Sequence, residues 1–84
     1  MITLLYFARL RESFGLASEQ AELPAQVTDV ASLTEWLRQR GSVWQKELAP
    51  GKPVRVSINQ DMAGPDTVVR DKDEIAFFPP VTGG

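Results

Sequence analysis

The sequence predicts an α+β fold in which a mixed β-sheet is crossed by one main helix. Three observations carry that expectation. Residues 2–8 open the chain with branched and aromatic side chains, residues 30–40 place an apolar stripe at helical spacing behind an aspartate, and residues 54–58 and 74–78 read as strands. A chain of 84 residues is long enough for one compact domain and too short for two.

Taken in order, residues 2–8 lack a clean alternation, so the segment reads as a strand buried on much of both faces and central in its sheet. Residues 9–15 mix charge with Leu10 and Phe14, four apart, which suits a short helical turn closed by Gly15. Residues 18–23 form the second strand, with Ala21 and Leu23 on one face, ended by Pro24, which cannot donate to a ladder. Asp29 then precedes Val30, Leu33, Trp36, Leu37 and Arg40, an i, i+3, i+4, i+7 pattern whose first free amides the aspartate can cap. Gly41 stands where a left-handed C-terminal residue would end that helix, after Arg38 and Arg40 in the last turn. Val43, Trp44 and Leu48 fit either a second short helix or an irregular segment before Pro50-Gly51. Val54, Val56 and Ile58 alternate with Arg55 and Ser57 as in a half-buried strand, and Asn59-Gln60-Asp61 is turn chemistry. Thr67-Val68-Val69 is a strand candidate, Asp71-Lys72-Asp73 a turn, and residues 74–78 a last strand stopped by Pro79-Pro80. The order β-β-α-β-β-β, with one helix lying across a mixed sheet, is the arrangement that buries every apolar face, and it is of the β-grasp kind. Residues 1–78 make the domain and residues 79–84 a tail.

Composition narrows the chemistry. The residues are 43% hydrophobic and 24% charged, the mix of a folded soluble domain. A net charge of −2 and a pI near 5.0, with no Lys/Arg cluster, disfavour nucleic acid and anionic membranes as partners. The absence of cysteine and histidine excludes disulfides, thiolate nucleophiles and the commonest base and metal ligand, so no metal or cofactor site is expected. Asp71, Asp73 and Glu74 lack the spacing and glycine of a calcium loop and read as a solvated turn. Arg9, Arg11 and Glu12 read as a solvated connection, Trp36 as core, and Trp44 as packing in a satellite cluster or over an edge. The start, Met1-Ile2-Thr3-Leu4-Leu5-Tyr6-Phe7, has no basic n-region and no run long enough to span a bilayer, so a cytoplasmic location is expected.

The chemistry is expected at the end of the chain. Two successive prolines hold residues 79–84 extended, and six residues reach roughly 20 Å, far enough to carry a carboxylate into another protein's pocket. Gly83 and Gly84 have no Cβ, so the tip can enter a narrow channel and leave its carbonyl carbon open to a nucleophile. A free carboxylate is inert until made a better acyl donor, for instance by ATP-dependent adenylation. A sulfur nucleophile then displaces AMP and leaves a thiocarboxylate, ionised at neutral pH, with a polarizable sulfur to hand on. None of this needs Cys or His in the carrier.

The ending Phe77-Phe78-Pro79-Pro80-Val81-Thr82-Gly83-Gly84 resembles that of the small-subunit family of molybdopterin synthases. Further agreement lies in Leu4-Leu5-Tyr6-Phe7-Ala8-Arg9-Leu10-Arg11-Glu12, in the helix from Val30 to Leu37 and in Ile58-Asn59-Gln60, so the similarity spans essentially the whole chain. Residues 41–52 are the least distinctive, and residues 61–65 match no family pattern. The resemblance implies a ubiquitin-like fold whose Gly84 carboxylate is adenylated by an ATP-using enzyme like that which activates ubiquitin, and is then converted to a thiocarboxylate. It further implies insertion into a larger catalytic subunit, where sulfur passes to a cyclic pterin precursor to build the molybdopterin dithiolene. Two small and two large subunits would form the heterotetramer, and the small one would be a consumed and regenerated donor, no enzyme on its own. By the same resemblance Phe77, Phe78, Pro79, Pro80, Val81 and Thr82 are expected partner contacts. Alternation along a strand sends Phe77 and Phe78 to opposite faces, so one is expected in the core and the other partly exposed. The rivals are related carriers serving thiamine, cysteine or tRNA thiolation, and a ubiquitin-like modifier or plain interaction module.

Overall fold

The computed structural model of the protein describes residues 1–80. Along the chain run β1 (Ile2–Tyr6), α1 (Ala8–Phe14), β2 (Ser18–Ala21), α2 (Val30–Arg38), α3 (Ser42–Glu47), β3 (Arg55–Ile58), β4 (Asp61–Ala63) and β5 (Glu74–Phe78). The strands form one sheet in the order β2-β1-β5-β3-β4. Every neighbouring pair is antiparallel except β1 with β5, which makes the sheet mixed. This is the ubiquitin-like β-grasp arrangement that the sequence leads one to expect.

One face of the sheet carries the core. Ile2, Leu4 and Tyr6 of β1, Ile75 and Phe77 of β5, and Val56 and Ile58 of β3 pack against Val30, Leu33 and Leu37 of α2, with Leu10 and Leu48 completing the cluster. Burying each such side chain stabilises the fold by about 1.5–3 kcal/mol. The α2 stripe is set in register by its N-cap: Asp29 accepts from the Ser32 amide at 2.8 Å, and Ser32 Oγ accepts from the Asp29 amide at 3.1 Å. The Ser32 amide first, and then the Ser32 hydroxyl donating to Asp29 Oδ1 at 2.7 Å, hold the Asp29 carboxyl below its ordinary pKa.

The sequence reading needs correction in several places. β1 stops at Tyr6, not residue 8, because Phe7 becomes the N-cap of α1. β1 is an interior strand, but the centre of the sheet belongs to β5. β2 ends at Ala21, two residues short of Leu23. Gly15 does take the left-handed conformation, φ 73°, that closes α1. Gly41 does not play that part for α2. The helix tightens instead, with the Gln39 and Arg40 amides donating to the Trp36 and Leu37 carbonyls, and Gly41 is extended backbone that starts α3. The fourth strand is Asp61–Ala63, paired with β3 through Asn59 and Gln60 at φ 50° and 73°. Positive φ at both central residues gives the turn the twist that a two-residue hairpin requires. Thr67-Val68-Val69 is no strand: Val68 makes one isolated bridge to Asp29, and the Val69 amide donates to the Thr28 carbonyl.

Trp44 joins a satellite cluster, stacked on Phe14 with ring centroids 3.7 Å apart and with Tyr6 edge-on to both. Trp36 is half-buried, outside the deepest core, and shares the Arg40 guanidinium with Trp44 at 5.1 and 4.9 Å. Arg40 also pairs with Glu19 at 2.5 Å, and Glu19 accepts from the Tyr6 hydroxyl at 2.8 Å. Burial first, and then that hydrogen bond, pushes the Tyr6 phenol well above its usual pKa. Arg9 is not merely solvated: its Nε lies 3.3 Å from the buried Glu47 carboxylate, which also accepts from Ser13 Oγ at 2.9 Å. This latch ties α1 to α3.

Candidate functional site

Strand register determines which side chains meet on the face of the sheet away from the helices. Leu5 pairs with Ala76 and with Ser18, Ala76 with Ser57, and Ser57 with Met62, so one row crosses all five strands. Registered partners share a face, because side chains alternate strictly along each strand. Ala76 and Ser57 are small and closed in by their neighbours, while Met62 at the end of the row is 59% exposed. Leu5 and Met62 are thus the larger apolar side chains of the row, with small Ala76 and Ser57 between them.

Phe78 lies on that same face, two residues beyond Ala76 and opposite Arg55, and is half-buried. Phe77 points the other way, is 0% exposed, and stacks over Tyr6 with centroids 6.0 Å apart. The structure thereby withdraws the Phe77 side chain from the surface and leaves Phe78 as the one of the two with exposed surface. Phe7 stands beside them at the rim: its amide donates to the Phe77 carbonyl at 3.1 Å and its ring is 48% exposed. Ala8 makes the turn into α1 at φ 53°, a left-handed value uncommon for a residue with a Cβ, and this sharp exit leaves Phe7 outside the core.

The chain leaves this face at its centre. β5 is held by β1 as far as Phe77 and by β3 to its last residue, where Phe78 pairs with Arg55, and half-buried Pro79 and Pro80 follow at once. Neither proline can donate a backbone hydrogen bond, so the ladder ends there. Val81, Thr82, Gly83 and Gly84 lie outside the described residues. Phe78, Pro79 and Pro80 thus share one end of the sheet, and Phe7, Leu5 and Met62 join them as surface that the sequence reading did not single out. The Leu5–Phe7 pair, spaced by two, was the available signal; Met62 gave none without the register of β4.

Among the described residues no group of three or more His, Cys, Asp or Glu is placed to hold a metal ion, and no helix is long and apolar enough to cross a membrane. What the described residues offer is a sheet face carrying Leu5, Met62 and Phe78, on which the central strand ends at Pro79-Pro80.

Comparison with known proteins adds a lineage. The pattern of the ThiS family matches residues 4–84. The chain is 40% identical to the molybdopterin synthase sulfur carrier subunit of Haemophilus influenzae and 37% identical to that of Escherichia coli, over the full length of both partners in each case. Among solved structures, the putative molybdopterin converting factor subunit 1 of Pyrococcus furiosus superposes with a TM-score of 0.77 at 27% identity, covering 95% of this chain and 97% of that one. Small archaeal modifier protein 1 of Haloferax volcanii superposes at 0.79 and 23% identity over 99% and 98%, a likeness of fold.

Proposed function

The chain belongs to the ThiS family, and on that premise we propose that it is the sulfur-carrying small subunit of a molybdopterin synthase. The observation that carries this reading is the end of the central strand: β5 stops at Pro79-Pro80, beside half-buried Phe78 and exposed Phe7, and Gly83-Gly84 follow in the sequence. The full-length likeness to named sulfur carrier subunits supports it.

The chemistry is acyl activation at Gly84. Its carboxylate attacks the α-phosphorus of ATP on an activating enzyme, forming an acyl adenylate and releasing pyrophosphate. Sulfur at the hydrosulfide level attacks the acyl carbon, a C–S bond forms, AMP leaves with the electron pair of the broken C–O bond, the S–H proton goes to solvent, and the product is a thiocarboxylate. The larger catalytic subunit then receives residues 81–84, and sulfur passes to the cyclic pterin precursor. Hydrolysis of the acyl group returns the carboxylate. The small subunit supplies the sulfur, the reach and the docking surface around Phe78, Pro79 and Pro80, while the residues that move protons belong to its partner. A cytoplasmic heterotetramer of two small and two large subunits is the assembly this reading carries.

Mass spectrometry of the chain isolated from its native cell tests the proposal. A species heavier by about 16 Da, with sulfur in place of one terminal oxygen, is expected. Finding the chain solely unmodified, or joined to lysine side chains, would refute a sulfur carrier.

A further inference from the structure

The outward position of Phe7 depends on a turn that its backbone does not favour. Ala8 lies at φ 53°, where a Cβ crowds the following carbonyl oxygen. A backbone held in that region persists only where its surroundings fix it from several directions. α1 does not fix it unaided: the helix has seven residues, its N-cap is a phenylalanine with no side-chain acceptor, and isolated helices shorter than about 12–15 residues are marginal in water. Tertiary contacts hold it instead. Leu10 is buried in the core, and Phe14 stacks on Trp44 of α3 with ring centroids 3.7 Å apart. Those two side chains anchor the middle and the far end of the helix. Its start, next to the strained residue, is held by Glu47.

Glu47 closes α3, and it is buried, a rare position for a charge unless it is paired. One oxygen, Oε2, accepts from Ser13 Oγ at 2.9 Å; the other, Oε1, lies 3.3 Å from Arg9 Nε and accepts no hydrogen bond among the described residues. Arg9 and Ser13 are four apart and therefore share one face of α1, so a single carboxylate clasps the helix at two points of that face. Stability alone is a poor reason for such a pair, because a buried ion pair can often be replaced by apolar side chains of similar volume at little cost. Fixing the register of one element against another is the better-attested use of buried charge. We infer that Glu47 is a positioning residue for the partner-binding surface: by clasping Arg9 and Ser13 it locks the left-handed turn at Ala8, and that turn presents the Phe7 ring, 48% exposed, at the rim beside the end of β5. The ring so presented suits an apolar pocket of the larger subunit. Partner recognition through Phe7 rests on the sulfur-carrier reading; the lock on Ala8 does not.

Hydrogen exchange of the labelled full chain, followed by nuclear magnetic resonance, tests the lock without any partner. Glu47→Gln keeps the shape of the side chain and its reach to Ser13 while removing the charge that holds Arg9. The Phe7 amide, which donates to the Phe77 carbonyl at 3.1 Å, reports the turn. It is expected to exchange at least about tenfold faster in the variant, and to accelerate by more than the amides of β1 and β5 do. Acceleration of all of them by one common factor would assign Glu47 to overall stability and overturn the proposal, as would an unchanged Phe7 amide. Should Glu47→Gln fail to fold, Ser13→Ala, which removes the other arm of the clasp, must produce the same selective acceleration. Calorimetric titration with the larger subunit then shows whether Glu47 acts through Phe7. Glu47→Gln and Phe7→Ala are each expected to weaken binding, and the double variant to bind no more weakly than Phe7→Ala. Losses that multiply in the double variant would overturn the positioning role, and so would a Phe7→Ala chain that binds like the parent. A parent chain that does not bind the larger subunit at all would refute the sulfur-carrier reading and with it docking through Phe7, while exchange at Phe7 would still decide the lock.

Discussion

Replacing Phe77 and Phe78 by alanine, one at a time, separates fold from docking at two adjacent positions. Phe77 is fully buried between Tyr6 and the α2 side of the core, so its truncation removes the transfer energy of the ring and leaves a cavity. Such a change costs about 3–5 kcal/mol. A domain of 84 residues has roughly 4–13 kcal/mol of stability in all. At about 4–8 °C per kcal/mol, the melting midpoint of Phe77→Ala falls by at least about 12 °C. Phe78 is half-buried on the outer face, so the matching loss is about 1 kcal/mol and a midpoint lower by about 4–8 °C. Its effect is expected elsewhere: an aromatic anchor at an interface contributes about 2 kcal/mol or more, so Phe78→Ala binds the larger subunit at least about 30-fold more weakly. Circular dichroism melts give the first pair of numbers and titration calorimetry below both midpoints gives the second. Equal destabilisation by the two variants, with Phe78→Ala binding like the parent, would refute the assignment of opposite faces to opposite tasks.

Deleting Gly84 is expected to abolish adenylation and sulfur loading, read by mass spectrometry, while the melting midpoint stays that of the parent. The Tyr6 phenol has a folded-state pKa raised above its ordinary value of 10.0, so it contributes stability fully present below about pH 10 and lost as pH rises beyond it. Urea midpoints followed upward from pH 9 should therefore fall in the parent and fall less in Tyr6→Phe; parallel curves would show that another group titrates. Asp29 has the opposite sign: its depressed pKa contributes stability above about 3.8 that is lost as pH falls through the lower folded value. Asp29→Ala should lower the urea midpoint at pH 7 and flatten the acid limb below pH 4, and an unchanged acid limb would contradict the capping role.

How much could be read in advance follows from where the deciding forces lie. α2 was legible to its first residue because its stripe and its cap are local, with Asp29 and Ser32 three apart. β5 was legible because Pro79-Pro80 stops it whatever else the fold does. Gly41 misled because a left-handed helix end is a frequent use of glycine, whereas here the chain restarts as α3 without turning back. β4 went unseen because it is three residues long, with an exposed Met62 at its centre, and exists through pairing with β3. The facing of Phe77 and Phe78 is a matter of register with Tyr6 and Arg55 across the sheet, which no spacing along the chain contains.

The parallel pairing of β1 with β5 has a mechanical side. Strands that run side by side in the same direction, one at each end of the chain, are loaded in shear when the two ends are pulled apart, so the hydrogen bonds of the ladder share the force instead of opening one after another. Tension applied at the C-terminal end of β5 passes to the middle of the sheet, where β3 grips β5 from the opposite side.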